Sequence, residues 1–291
     1  MTELQWGMLL IAALVFFVLI GIDIAIALIA IAFVGVWLIR ENIELAMHLM
    51  YMSAYNGVAD YIFATIPLFV LMGLLVSISN VGKDTFDVAE SLLRKIKGGL
   101  GVATVAANTV MAAVTGVSIA SAAVFTRVAV PEMVRHGYKA NFAAGVVAGS
   151  SVLGMLIPPS LLLIIYGVLA EQSIGKLFIA GLIPGIIMAL AFAVAIILMA
   201  TFIPNFIFDP KRQAERHRSS GTEKILGTGE MFSKLTPIAA LVVLVLGGLY
   251  SGFFTPTEAG GVGAFGAFII ALLRRKLGQG NLWRVLHETG S

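Results

Sequence analysis

The sequence contains no cysteine, and charged residues make up only 12% of its 291 positions. The absence of cysteine excludes disulfides, thiolate metal sites and cysteine nucleophiles. Soluble globular domains carry about 25% charged residues, whereas 59% of this chain is hydrophobic. Its apolar runs are as long as membrane-spanning helices. The composition therefore predicts an all-α polytopic membrane protein.

The groups that enzyme chemistry needs are also scarce. No Gly-Lys-Ser/Thr loop is present, which excludes nucleotide hydrolysis by a phosphate-binding loop. An intramembrane serine protease needs a histidine beside its nucleophile, and all four histidines fall in predicted loops or surfaces. An intramembrane aspartyl protease needs two membrane carboxylates, and only Asp23 qualifies. These absences argue against an enzyme. They leave a transporter subunit or a non-transporting assembly subunit as alternatives.

The N-terminal region, residues 1–60, is predicted to hold scaffold helices. Its first apolar run, 6–38, far exceeds the roughly 20 residues that cross a bilayer, so it must turn, most simply at 21–23. We expect Asp23 to face water at the end of this helical hairpin, with a functional charge inside the membrane as the alternative. The segment 40–60 is mildly amphipathic and is expected along the membrane surface. Because the N-terminus lacks a basic region, we expect the first helix to be retained rather than cleaved.

Residues 61–98 are predicted to form one span and one surface helix. The span covers 61–78, and the amphipathic helix covers 83–97, where leucine and isoleucine alternate with charged residues at helical spacing.

Residues 99–130 are predicted to form a hairpin. A single helix of this length would reach about 48 Å, against a hydrocarbon core of about 30 Å. The middle of the stretch, 115–121, combines small and hydroxylated residues around a glycine, as turns do. Basic residues flank both ends, which places both ends on the cytoplasmic side. Halves of about 15 residues are short for full spans, so we expect a re-entrant hairpin, with two full spans as the alternative.

A second apolar run, residues 142–170, contains the stretch around which the chain is organised. Pro158 and Pro159 lack a backbone N–H, so the carbonyls of Gly154 and Met155 lose their helical donors. In lipid, such carbonyls persist only against protein or a water-lined cavity. Freed carbonyls and hydroxyls suit a cation, and the helix N-terminus near Ser160 suits an anion. We therefore predict a binding site, with a plain proline kink as the alternative. Its residues are Gly149, Ser150, Ser151, Gly154, Met155, Pro158, Pro159 and Ser160.

The remaining residues, 172–291, are predicted to form three spans and a cytoplasmic loop at 205–231. The predicted bounds of the spans are 177–203, 237–250 and 255–276. Thr255 and Glu258 have the spacing of a capping box at the start of the last span, whose glycines we expect to mark close helix packing. All basic clusters then lie on one side of the membrane, with the N-terminus periplasmic. The basic residues behind the net charge of +3 thus lie where they set the orientation in the membrane, and they do not indicate nucleic acid binding.

Short stretches along most of the chain carry a family resemblance. They are residues 66–69, 72–73, 115–123, 130–133, 154–160, 165–167, 171–178, 180–185 and 254–259. Each stretch alone is weak, but their occurrence together and in order is specific. With them, the chain resembles the large membrane subunit of tripartite ATP-independent periplasmic (TRAP) transporters.

The resemblance implies a secondary transporter in a bacterial inner membrane that couples inward sodium flow to uptake of an organic anion, usually a carboxylate. It implies no cofactor besides Na⁺ as coupling ion, and it implies two partners, a small membrane subunit and a periplasmic substrate-binding protein. The implied fold is an elevator type, in which a scaffold holds a transport domain of two inverted repeats. Each repeat has a re-entrant hairpin and a broken helix, which here are residues 99–171. The implied sodium- and substrate-binding residues of the hairpin tip are Thr115, Gly116, Ser118 and Ser121.

The chain departs from the family pattern in two ways. Many members have a small or hydroxylated residue where this chain has Val117, and many have aspartate where it has Ser121. Nothing after residue 160 repeats the Gly…Pro-Pro pattern, so only one inverted repeat is expected to be mostly present. We therefore expect the chain to correspond to the N-terminal part of such a subunit, as a fragment, a split subunit or a truncated product. Transport would then belong to the complete assembly.

Overall fold

The computed structural model describes residues 3–59, 61–209 and 226–290, and in these ranges the chain is helical without a β-strand element. The all-α prediction is therefore confirmed. The chain separates into two compact units, Met1–Asp60 and Tyr61–Ser291. The candidate site lies entirely in the second unit.

The first unit contains three helices, α1 (Glu3–Leu19), α2 (Ile24–Arg40) and α3 (Ile43–Ala59). The turn between α1 and α2 uses Gly21, whose φ of +90° is accessible to glycine at little cost. Asp23 caps α2, because its carboxylate accepts a hydrogen bond from the backbone N–H of Ala25 at 2.9 Å. The helical hairpin and the exposed, structural position of Asp23 are both confirmed. The placement of α3 on the membrane surface stays a prediction.

The second unit holds the helices that could cross a membrane. By length and composition these are α4, α11, α13 and α14, and the bent pair formed by α8, α9 and α10 adds a fifth crossing if it is one span. The bounds are α4 (Tyr61–Ile78), α5 (Val81–Leu93), α6 (Gly99–Thr115), α7 (Ser118–Arg135), α8 (Ala140–Ser151), α9 (Leu153–Leu156), α10 (Leu161–Leu169), α11 (Ile174–Phe202), α12 (Pro204–Ile207), α13 (Thr228–Tyr250), α14 (Pro256–Leu273) and α15 (Gln279–Gly290).

Helices α4 and α14 pack closely through glycine. A Cβ atom on Gly263 would lie 2.4 Å from the sulfur of Met72, and one on Gly260 would lie 3.1 Å from the Cβ of Leu68. Small residues let two membrane helices approach at the backbone. The packing role predicted for these glycines is confirmed.

Helix α5 is amphipathic, as predicted, but it is packed into the protein on its apolar side, where Phe86 is 1% exposed. Its polar side pairs with two other helices. Asp84 binds Arg274, which follows α14, and Asp87 binds Lys234 of α13 at 2.5 Å. The helix was predicted over 83–97 but spans Val81–Leu93. Because its aspartates form ion pairs with two other helices, it is not a free surface helix.

The predictions for the C-terminal part have different outcomes. The span predicted to begin at residue 237 begins at Thr228, because Pro237 is accommodated inside the helix. Most of the predicted cytoplasmic loop, 210–225, lies outside the described residues. The capping box is confirmed, with Thr255 and Glu258 bonding each other's backbone N–H. Helix α15 was not predicted from the sequence.

Candidate functional site

The predicted hairpin is present as the antiparallel pair α6 and α7. The Thr104 hydroxyl donates to the Met133 sulfur at 3.6 Å, and the Ser121 hydroxyl donates to the Asn108 side-chain oxygen at 2.6 Å. The tip is shorter than predicted. Thr115 ends α6 and Ser118–Ser121 belong to α7, so only Gly116 and Val117 lie outside the helices. The reason is that a left-handed glycine, at φ +62°, reverses the chain in a single residue.

The predicted break is also present. The segment formed by α8 and α9 ends at Leu156, and α10 starts at Leu161. The two parts are bent by 41° relative to each other. The helix start near Ser160 is confirmed, and Ser160 caps α10 by accepting a hydrogen bond from the N–H of Leu163 at 3.4 Å. The carbonyl of Met155 is not bare as predicted, because the Ser160 hydroxyl donates to it at 2.6 Å.

Several carbonyls at the break do remain without a donor. In the described ranges, no N–H or O–H group donates to the carbonyls of Gly154, Ile157, Pro158 or Pro159. The cause is local, since a proline has no N–H with which to close a helical turn. A cation is a natural partner for such oxygens at membrane depth.

The hairpin tip docks onto the break. The carbonyl of Gly116 accepts a hydrogen bond from the N–H of Leu161 at 3.1 Å. A Cβ on Gly116 would lie 2.3 Å from the carbonyl oxygen of Pro159, and one on Gly154 would lie 3.3 Å from the nitrogen of Ser118. The two glycines predicted as site residues thus permit direct backbone contact between the two elements.

Helix α4 closes the site from another side. A Cβ on Gly73 would lie 2.8 Å from the carbonyl oxygen of Thr115. Thr115 itself is fully buried. The tip is therefore held between α4 and the broken helix.

The hydroxyls predicted to bind sodium are oriented by their own helices. Thr115 donates to the carbonyl of Met111 at 3.0 Å, Ser150 to that of Val146 at 2.6 Å, and Ser151 to that of Ala148 at 2.8 Å. Because the hydrogen of each hydroxyl is already donated, each hydroxyl can offer a ligand only a lone pair of its oxygen. Such oxygens can coordinate a hard cation.

Asn108 was missed by the sequence analysis. Its side-chain nitrogen donates to the Ser150 hydroxyl at 2.6 Å, and its oxygen accepts from the Ser121 hydroxyl at 2.6 Å. All three residues are 1% exposed. Asn108 therefore joins both arms of the hairpin to α8. An amide in an otherwise apolar membrane helix could have signalled it, because such groups need a partner.

Some predicted site residues do not join this arrangement. Gly149 faces α11, where a Cβ would be 3.8 Å from the ring of Phe192. The side chain of Met155 is 39% exposed. Ser118 is the first residue of α7 and takes part through its backbone nitrogen near Gly154.

A separate group of potential metal ligands lies at the other end of the hairpin. Ligand atoms of Glu90, Glu132 and His136 lie within 4.8 Å of one another. Arg135 already pairs with Glu132 at 2.7 Å, and the His136 ring nitrogen is 3.3 Å from the same carboxylate oxygen. The Glu132 carboxylate therefore has a cationic partner in the protein itself.

Comparison with known proteins identifies the family of this chain. Residues 10–291 match the family described as "Tripartite ATP-independent periplasmic transporter, DctM component". The chain is 35% identical over 231 residues to the C4-dicarboxylate TRAP transporter large permease protein DctM of Pseudomonas aeruginosa, covering 79% of this chain and 51% of that protein. It is 32% identical over 269 residues to the 2,3-diketo-L-gulonate TRAP transporter large permease protein YiaN of Escherichia coli, covering 92% and 60%.

A third relative is named for another substrate. The sialic acid TRAP transporter large permease protein SiaM of Vibrio cholerae is 32% identical over 236 residues, which cover 80% of this chain and 52% of that protein. The chain thus spans about half the length of the curated relatives it matches. The matched family consists of transporter components, so the chain is not an enzyme. On these matches, the chain belongs to the DctM component family of tripartite ATP-independent periplasmic transporters.

Proposed function

We propose that the chain forms part of a secondary transporter that imports an organic anion across a bacterial inner membrane, driven by inward sodium flow. The observation that carries the proposal is the docking of the hairpin tip onto the broken helix. That contact brings Gly116, which follows Thr115, against Pro159, and in the described ranges the carbonyls of Gly154 and Pro159 have no hydrogen-bond donor. Oxygen ligands of this kind suit Na⁺.

The anion would bind beside this cation. Helix α10 begins at Leu161, directly after its N-cap Ser160, inside a bent helix pair of membrane-spanning composition, and its N-terminus carries a positive partial charge. Half-helix N-termini of this kind hold anionic groups in transporters. The names of the relatives, which refer to C4-dicarboxylates, 2,3-diketo-L-gulonate and sialic acid, support an organic acid as the substrate class.

The proposed assembly includes a small membrane subunit and a periplasmic substrate-binding protein. In it, the helices of residues 1–60 would belong to the scaffold, and residues 99–171 would move as part of an elevator-type transport domain. The N-terminus would be periplasmic, because basic residues then collect on the cytoplasmic side.

Uptake into proteoliposomes tests the proposal. The vesicles would contain the complete transporter of which the chain is part, including the small subunit, with the binding protein outside. Radiolabelled succinate or sialic acid would be supplied in separate arms. We expect uptake of one acid to require both the binding protein and an inward sodium gradient. Equal uptake with a choline gradient would contradict sodium coupling, and uptake without the binding protein would contradict the proposed assembly.

Hydroxyl variants test the cation site itself. We expect Thr115→Val and Ser151→Ala each to raise the sodium concentration for half-maximal uptake several-fold, since each removes one candidate ligand. Ser150→Ala should do so too, but it also removes the acceptor of Asn108. Thr104→Val is the matched control for Thr115→Val, because Thr104 is equally buried on α6. Its hydroxyl contacts the Leu100 carbonyl at 2.8 Å and the Met133 sulfur at 3.6 Å, away from the hairpin tip. Unchanged sodium dependence in the three site variants would remove these hydroxyls from the site.

A further inference from the structure

A cavity of about 460 Å³ lies where α5 ends, α6 begins and α7 turns back into α8. It is separate from the hairpin tip, since it borders the opposite end of α6. Three of its lining residues, Arg94, Lys95 and Lys97, are cationic and come from the short connection between α5 and α6. Among the described lining residues, Glu90 is the single acidic one. The cavity therefore presents a net positive surface.

Within the part of the chain that the structure describes, no carboxylate neutralises the three cationic side chains, Arg94, Lys95 and Lys97. Elsewhere in the same unit, Lys234 and Arg274 are each paired with an aspartate. All three side chains are exposed, so they are accessible to an anion, and an anion in the cavity would be attracted by three positive charges within four residues.

The connection that carries these charges is held in a fixed shape. Gly98 has a φ of +76°, and a Cβ there would lie 3.0 Å from the Cβ of Ala200. A Cβ on Gly99 would lie 2.2 Å from the carbonyl oxygen of Leu93. The chain therefore folds back tightly at these glycines, and the basic residues are confined to the rim of the cavity.

The other wall of the cavity is aromatic. Tyr138 and Phe208 form an isolated antiparallel bridge, and their ring centroids are 4.7 Å apart. Leu92 and Ile96, beside the basic residues, are 63% and 40% exposed. Basic, aromatic and exposed apolar side chains together are typical of a surface at the boundary between lipid and water.

We propose that this cavity binds a phosphate group, presented by the headgroup of an anionic phospholipid. Arg94, Lys95 and Lys97 would bind the phosphate oxygens, with Leu92 and Ile96 against the start of the acyl chains. Basic pockets between membrane helices suit such headgroups. A metal cation would be repelled by the same three side chains, and Glu132 in the neighbouring ligand group is already paired with Arg135.

Native mass spectrometry of the purified full chain in detergent tests this proposal without any transport measurement, so its failure is distinguishable from failure of the proposed function. Dioleoyl-phosphatidylglycerol, dioleoyl-phosphatidylcholine and inorganic phosphate would be titrated separately. We expect phosphatidylglycerol to bind at least ten times more tightly than phosphatidylcholine. Each basic side chain removed should weaken its binding about fivefold, so Arg94→Gln, Lys95→Gln and Lys97→Gln together should remove the preference.

Two matched variants make the outcome decisive. Arg275→Gln with Lys276→Gln removes basic side chains outside the cavity and should leave the preference unchanged. Lys95→Arg with Lys97→Arg keeps the charge and should retain binding. Equal binding of both lipids would overturn the proposal. So would a control variant, Arg275→Gln with Lys276→Gln, that loses the preference for phosphatidylglycerol as fully as the cavity variant does. Binding of inorganic phosphate without phosphatidylglycerol would reject the lipid as the source of the phosphate group.

Discussion

Replacing Gly116 by alanine is expected to separate the hairpin tip from the broken helix and to lower uptake at least tenfold. The added Cβ would lie 2.3 Å from the Pro159 carbonyl oxygen, on a backbone with φ +62°. The left-handed conformation costs a non-glycine residue about 1–2 kcal/mol, and overpacking adds about 1–3 kcal/mol. The tip must then move, and the hydrogen bond from Leu161 to Gly116 is lost.

The apparent Tm of the purified chain measures this effect independently of transport. For a unit of this size, a loss of about 2–5 kcal/mol lowers Tm by roughly 5–15 °C. Gly145→Ala is the control, since no heavy atom lies within 4 Å of its added Cβ and alanine inside a helix stabilises by about 0.5–1 kcal/mol. Gly116→Asn tolerates a positive φ but keeps the clash, so it should behave like the alanine variant. An unchanged Tm in both Gly116 variants would contradict the docked tip.

The broken helix could be predicted from the sequence because its cause is local. Pro158 and Pro159 cannot donate a hydrogen bond wherever they occur, so the end of α9 and the start of α10 near Ser160 follow from chemistry within a few residues. The hairpin was predicted for a similar reason, because one long apolar stretch contained a glycine among small residues.

The contacts between these elements could not be predicted in the same way. The length of the tip depends on the left-handed turn at Gly116, which in turn depends on the space left by Pro159. Met155 was predicted to leave its carbonyl bare, but the rotamer of Ser160 brings a hydroxyl to it. Both outcomes are set by three-dimensional packing, and no spacing in the sequence encodes them.

Asn108 is the clearest case of a residue that only the tertiary structure identifies, and it supports a second large prediction. Asn108→Leu keeps the side-chain volume but leaves the buried Ser121 hydroxyl without its acceptor and takes a donor from Ser150. A buried polar group left unpaired costs about 1–3 kcal/mol, so two lost hydrogen bonds should destabilise the chain by about 2–4 kcal/mol. Thr109→Val is the control, because the Thr109 hydroxyl bonds only its own helix, at the Val105 carbonyl.

A variant that removes the whole hydrogen-bond network separates its contribution to stability from its contribution to positioning the site. Asn108→Leu combined with Ser121→Ala and Ser150→Ala removes every member of the network, and replacing all partners by apolar groups is often nearly neutral for stability. We therefore expect the triple variant to regain most of the Tm that Asn108→Leu loses. Its sodium-dependent uptake should nevertheless be lower than that of the unmodified protein, because Ser150 is a candidate ligand and α8 is no longer tied to the hairpin. If uptake recovers together with Tm, the network only stabilises the fold and does not position the site.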